Sequence, residues 1–250
     1  MLATGSNTLT GYRLSIRSDA DGFSFSVVST LDGSVVQTDR FPVSGSSTAD
    51  DVLRQALRKP YLMDYRFQSV ELVADTQTTI VPLEHFSKSD MLAFYRLCFP
   101  VTVNGQWSMA DMQYQILSSL EAVMVFRLDQ SVLRIVQECY PDVRVCCTDA
   151  QQLEHFASLQ EKRLAPADAE QRDAYVCFSE KRFFIAVFLR GKLQYASSQV
   201  ADNDSDRTFL LLGIWKALDM HAQRDACHLE GASKELQKTI GEYILNLSEE

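Results

Sequence analysis

Oxygen-bearing side chains crowd the run Asp202-Asn203-Asp204-Ser205-Asp206, with the alternation of a calcium-binding loop. Such a loop needs a glycine at its sixth position for the sharp turn and a bidentate Glu at its twelfth, and those positions are Arg207 and Gly213. The run instead reads as the capped, acidic start of a helix holding Phe209 to Leu218. His221, Cys227 and His228 are close in sequence and chemically suited to zinc, but a structural site takes four ligands and no fourth is near. Carboxylates at Asp19 or Asp21, Asp51 and Asp75 would suit a two-metal nuclease, yet Ile16 and Arg17 stand on the strand where the first acid belongs. His85 and His155 each adjoin a glutamate, Glu84 and Glu154; neighbours on a helix point apart, so neither histidine gains an orienting partner. Glycine spacing excludes more. No two of the ten glycines are closer than six residues, which rules out GxGxxG, the Walker A loop and the GxSxG nucleophile elbow.

The chain that must position these groups has 250 residues, 46% of them apolar and 23% charged, with a net charge of −9. That composition belongs to a folded globular protein. An acidic balance repels phosphate backbones, and basic residues cluster no further than pairs such as Arg58-Lys59 and Lys181-Arg182, so nucleic acid is not expected as a partner. Met1 to Thr10 has no cationic segment followed by an apolar run, and the longest apolar stretches fall far short of the roughly 18 residues of a membrane span. A cytoplasmic protein without membrane insertion is expected. Six cysteines with no CxxC spacing read as buried free thiols of a reducing compartment.

Apolar residues alternate through Tyr12, Leu14 and Ile16, through Phe23, Phe25 and Val27, and from Val35 and Val36 to Phe41, which predicts three antiparallel strands. Asp32-Gly33 marks the second hairpin. Ser46-Ser47-Thr48 then offers a cap for a helix with Asp50 and Asp51 in its first turn and Val52, Leu53, Ala56 and Leu57 on one side, ending before Pro60; Val70 to Val73 follows as a strand. The middle predicts a helix through Met91, Tyr95 and Leu97, strands at Met112 to Leu117 and Val123 to Leu128, a helix from Asp129 to Cys139, a strand at Val143 to Cys147 and a helix from Asp149 to about Gln160. Leu164 to Arg172 reads as a linker, giving an N-terminal lobe over 1–163 and a C-terminal lobe over 173–250. Shifting by 158 carries Phe25 to Phe183, Gly33 to Gly191, Leu53 to Leu211, Leu57 to Trp215, and Val70 to His228, so the first lobe's order repeats.

Strand-strand-strand-helix-strand, written twice, resembles the ribonuclease H-like lobes from which the actin, sugar kinase and chaperone ATPase superfamily is built. The expected class is therefore α/β, two such lobes in an actin-like architecture. The whole chain also resembles a bacterial family described only as a domain of unknown function. The residues that carry this likeness are Leu14-Ser15-Ile16-Arg17 with Asp21-Gly22-Phe23-Ser24-Phe25, Thr79-Ile80-Val81-Pro82 with Phe86, and the tail from Phe183 through Gly191 to Gly231.

The actin-like resemblance implies a nucleotide held by two phosphate hairpins and an adenosine loop. The positions it points to are Asp19, Asp21 and Gly22 on the first hairpin, Ser179 and Lys181 on the second, and Gly231 and Ser233 on the loop. The first hairpin keeps two carboxylates and a glycine. The second has neither Asp nor glycine, although backbone amides approach phosphate only where a Cβ is absent. The expectation is thus a degenerate site, no cofactor and no turnover, in a scaffold or interaction module with a protein partner. The alternative is an ATPase or phosphotransferase with magnesium on Asp19 or Asp21 and nucleotide at Gly231-Ala232-Ser233.

Overall fold

The computed structural model describes residues 11–64, 67–99, 107–163 and 170–249. Met1 to Thr10, and residues 164–169 of the expected linker, lie outside them. The elements begin with strands β1 (Tyr12–Asp19), β2 (Gly22–Ser29) and β3 (Val35–Pro42), helices α1 (Ala49–Leu57) and α2 (Pro60–Asp64), strands β4 (Ser69–Ala74) and β5 (Thr78–Pro82), and helix α3 (Met91–Cys98). Strands β6 (Met112–Leu117) and β7 (Ala122–Arg127), helix α4 (Gln130–Cys139), strand β8 (Arg144–Cys147) and helix α5 (Thr148–Lys162) follow. The remainder is β9 (Arg172–Phe178), β10 (Arg182–Leu189), β11 (Lys192–Val200), α6 (Asp204–Ala217), β12 (Ala226–Glu230), α7 (Lys234–Gly241) and β13 (Leu247–Glu249). Among the described residues no helix is long and apolar enough to cross a membrane.

Two compact units emerge, one of Met1–Thr76, Ser87–Gln115 and Val125–Thr148, the other of Gln77–Phe86, Ile116–Met124 and Asp149–Glu250. The first unit holds a sheet in the order β3-β2-β1-β4-β8 and the second a sheet in the order β11-β10-β9-β12-β13; a further sheet has the order β5-β7-β6. In both five-stranded sheets the first three strands are antiparallel neighbours, while the fourth and fifth run parallel to the first. That is one ribonuclease H-like order made twice.

Period-two burial builds both cores. Leu14, Ile16, Phe23, Phe25 and Val27 are buried in the first sheet, with Leu53, Ala56 and Leu57 of α1. Thr48 caps α1: its Oγ1 accepts from the Asp51 N–H at 3.2 Å and donates to Asp51 Oδ2 at 2.7 Å. Pro60 opens α2, because the N–H it lacks is one a helix start leaves unpaired. In the second unit Val176, Phe183, Ile185 and Val187 pack with Leu211 and Trp215 of α6, each large side chain contributing roughly 1.5–3 kcal/mol. Phe184, on the opposite face of β10, lies 6.3 Å from Phe156 of α5. The Phe183-Phe184 pair thus belongs to a strand covered on both faces. Of the cysteines, Cys146, Cys147 and Cys227 are buried, whereas Cys98 and Cys139 are exposed, contrary to the expectation of burial.

Hydrogen-bond register replaces the single offset of 158 by three. Both second hairpins carry a bulge, after Val27 in one and after Val187 in the other, so Val27 corresponds to Val187, 160 residues on. Beyond the turn Val35 corresponds to Leu193, 158 on, because the second hairpin is two residues shorter. Val70 sits opposite Leu14, and Cys227 opposite the equivalent Ala174, an offset of 157. An even change keeps side chains on the same face and an odd one reverses them. His228 is therefore the counterpart of Glu71 instead of Val70.

Candidate functional site

Each expected phosphate hairpin is held by its own unit. At the β1–β2 turn, Asp19 Oδ1 accepts from the Asp21 N–H at 2.8 Å, and the other Asp19 oxygen lies 3.9 Å from Arg40. Gly22 has φ of 143°, and a Cβ there would stand 2.3 Å from the Phe41 carbonyl oxygen. The close approach that demands this glycine is made by β3, and the N–H of Val43, just after it, also donates to the Asp21 carbonyl at 2.9 Å. Asp51 is engaged in its cap, and Asp75 is bound by Arg17 at 2.7 Å, so the nuclease carboxylates each serve a local structure.

The β9–β10 turn closes on itself, with the Ser179 N–H and Oγ both donating to the Arg182 carbonyl at 2.8 and 2.9 Å. Arg207 on α6 caps it from outside. Its Nη2 donates to the Ser179 and Glu180 carbonyls at 2.7 and 2.8 Å, and its Nη1 to Asp204 Oδ1 at 2.8 Å. Asp204 Oδ2 accepts from Ser233 Oγ at 3.1 Å. Ser233 also caps α7, accepting from the Leu236 N–H at 3.1 Å. A Cβ on Gly231 would come within 2.7 Å of the Phe178 carbonyl oxygen. The structure thus joins Ser179, Gly231 and Ser233 through Asp204 and Arg207, and Lys181 enters by its carbonyl, which accepts from the Ala201 N–H at 3.0 Å. Asn203 caps α6 by accepting from the Asp206 N–H at 2.9 Å, which assigns the acidic run to helix capping.

Of the four histidines only His228 is buried. His221 Nδ1 accepts from the Gln223 and Arg224 N–H groups, at 3.2 and 3.3 Å, inside a tight turn. Burial pushes the Cys227 thiol up to about 12, away from the thiolate a metal would need. His85 departs from expectation: it lies in a 3-10 turn, where Nε2 reaches to 3.5 Å from Glu84 Oε1, with both side chains exposed. Among the described residues no three His, Cys, Asp or Glu side chains gather as metal ligands.

Two polar clusters of the second unit escaped the sequence. Asp149, 1% exposed at the start of α5, accepts from Arg182 Nη2 at 2.8 Å and from Thr78 Oγ1 at 2.7 Å, while Arg182 Nη1 donates to Ser198 Oγ at 3.0 Å. On the other end of α5, Gln160 donates to Asp173 at 3.1 Å and accepts from the Tyr175 hydroxyl at 2.9 Å. His228 Nε2 lies 3.4 Å from Asp173 and 2.7 Å from Arg163, and Nδ1 lies 2.5 Å from Ser248 Oγ. Ser248, His228 and Asp173 follow the order of a nucleophile, base and orienting acid. The imidazole is only 2% exposed and lies tilted against the Tyr175 ring, 4.6 Å between centroids, which leaves no room for a reacting carbonyl. The only sequence signal for either cluster was an acid at an otherwise apolar strand or helix position.

Burial raises the Asp173 carboxyl, but hydrogen bonds from His228 and Gln160 outweigh it and hold the group below the ordinary range. Asp225 is likewise raised by burial and brought below the ordinary range by Arg224 and the His221 and Arg172 N–H groups. Folded values depressed below 3.8 stabilise the fold fully above that pH and cease to do so as pH falls through them. The melting temperature should be flat down to about pH 5 and drop below about pH 4, and Asp225→Asn, at its own lower baseline, should show a shallower drop. A variant as acid-sensitive as the parent would show that other groups carry the effect.

Two cavities lie elsewhere. One of about 520 Å³ in the second unit is lined by Ile80, Leu83, Glu121 and Tyr195, and one of about 960 Å³ in the first by Arg54, Phe67, Ile135 and Tyr140; none of the seven expected nucleotide positions lines either.

The paired sheets define the class, the actin-like ATPase fold. A protein of Bacteroides thetaiotaomicron, described as having an actin-like ATPase fold and unknown function, is similar over 96% of this chain and 91% of its own, with 24% identity and a TM-score of 0.78. The PilM–PilN type IV pilus biogenesis complex matches at a TM-score of 0.53 and 11% identity, over 95% of this chain and 88% of the other. Residues 4–247 match the family described as "Protein of unknown function (DUF3822)", and the chain belongs to that family. No curated protein matches in sequence.

Proposed function

We propose that this protein is a non-catalytic, actin-like scaffold or protein-interaction module of the bacterial cytosol that takes no nucleotide cofactor. Arg207 carries the proposal. A phosphate cradle requires converging N–H donors, and the β9–β10 turn instead directs the Ser179 and Glu180 carbonyls at a guanidinium that already binds them. An incoming phosphate would meet acceptors where it needs donors. The glycines that the resemblance offered are consumed in the same way, Gly22 by the Phe41 carbonyl and Gly231 by that of Phe178. Magnesium at Asp19 would first have to break the turn that its carboxylate closes. A fold neighbour seen as a PilM–PilN complex supports a partner-binding role for the architecture, and a net charge of −9 favours protein over nucleic acid.

Isothermal calorimetry with ATP and magnesium tests the proposal. No binding heat is expected at millimolar nucleotide, and affinity in the micromolar range or tighter overturns it.

A further inference from the structure

The two five-stranded sheets treat one of their faces differently. In the second unit α5 covers the face away from α6, with Phe156 stacked 5.3 Å from Tyr175 and 6.3 Å from Phe184. By the register above, Tyr175, Phe184 and Ala186 correspond to Ser15, Ser24 and Ser26 of the first unit. Those serines are partly exposed, whereas Tyr175, Phe184 and Ala186 are buried. The parallel partners β1 and β4 ordinarily imply cover on both faces.

Arginines frame this hydroxyl-lined floor. Arg13, Arg17, Arg40 and Arg144 each pair with a carboxylate, Glu71, Asp75 or Asp19, at 2.7–3.9 Å. In every pair the cation is the outer member: the arginine side chains are 43–66% exposed and the acids 11–20%. An acidic chain thus presents a positive, hydrogen-bonding face over buried negative charge. We propose that this face docks an acidic helix of a partner protein, seated over β1 and β2 as α5 is seated over β9 and β10. Arginine forks suit carboxylates, and the serines suit the polar atoms between them. The net charge of −9 opposes a nucleic acid there.

This inference rests on the interaction-module reading, but its test is separate, because nucleotide calorimetry does not probe this face. A labelled glutamate-rich, alanine-based helical peptide, titrated by fluorescence anisotropy at low salt, should bind the full chain, and Arg13→Gln/Arg40→Gln should weaken it roughly tenfold. The charge-matched pair Arg58→Gln/Arg134→Gln, at the end of α1 and on α4, should leave binding unchanged. Both replaced ion pairs are long, at 3.9 Å, with the arginine as the exposed member, and Glu71 keeps Arg144, so the fold should survive, as the melting temperature will report. Ser26→Glu, which adds a negative charge to the floor and removes no arginine, should also weaken binding. Absence of binding to the parent, equal loss in the control pair, an unaffected Ser26→Glu, or preference for a single-stranded oligonucleotide of equal charge would each overturn the proposal.

Discussion

Asp149→Ala should cost about 3–5 kcal/mol of stability, read as a shift of the urea midpoint of the second unit. The Arg182 guanidinium, with its side chain 15% exposed, would lose its hydrogen-bonded ion pair with the carboxylate, and Thr78 would lose its acceptor. Removing one member of a buried pair leaves a charge out of water and uncompensated, which costs more than the pair's net contribution. That asymmetry supplies the control. Replacing both members by apolar residues of similar volume, Asp149→Leu with Arg182→Met, should recover most of the loss, since no charge then remains to be desolvated. If Asp149→Ala shifts the midpoint by less than the equivalent of about 1 kcal/mol, the start of α5 is held by packing of Ala150, Leu153 and Phe156 and the ion pair is incidental.

The same cluster shows where the sequence is legible. Strands with one wet face, such as β1 and β2, announce themselves by alternation, and α1 by its cap and spacing. Gly33 and Leu53 have visible counterparts because hairpin turns and amphipathic helices obey short-range rules, whereas Val27 corresponds to Val187 and not to the Ile185 that a shift of 158 gives. Register between parallel strands does not. Nothing local states that β12 is offset from β4 by 157 instead of 158, yet that one residue takes His228 out of the apolar layer with Leu229's neighbours and sets it beside Tyr175 and Asp173. Strand β5, Thr-Thr-Ile-Val-Pro, and the three-residue β13 are too short for periodicity to distinguish from loop. For the site, the missing glycines of the second hairpin were legible as spacing. That Arg207 covers the resulting carbonyls is not, because in the sequence the residue stands out only as a misfit in a calcium loop. A side chain's partner 28 positions away follows from tertiary packing, which single-sequence patterns do not encode.

Gly22→Ala should destabilise the protein by about 3 kcal/mol or more with no ligand present. At φ of 143° an L side chain is strained by roughly 1–3 kcal/mol, and its Cβ would overlap the Phe41 carbonyl oxygen at 2.3 Å, with Pro42 Cα and Val43 N at 2.9 Å. Backbone atoms on an adjacent strand cannot rotate away, so β3 must shift and the Val43 to Asp21 hydrogen bond goes with it. Gly33→Ala is the matched control: φ is 73° and nothing lies within 4 Å of the added methyl, so only the backbone penalty of about 1–2 kcal/mol applies. The comparison decides between two meanings of a hairpin glycine. A glycine kept for phosphate leaves the unliganded fold indifferent to a methyl group and shows its loss in nucleotide affinity, whereas a glycine kept for β3 shows it in the melting curve of the protein alone. Equal, small shifts for both variants would return Gly22 to the ligand and reopen the first hairpin as a binding element.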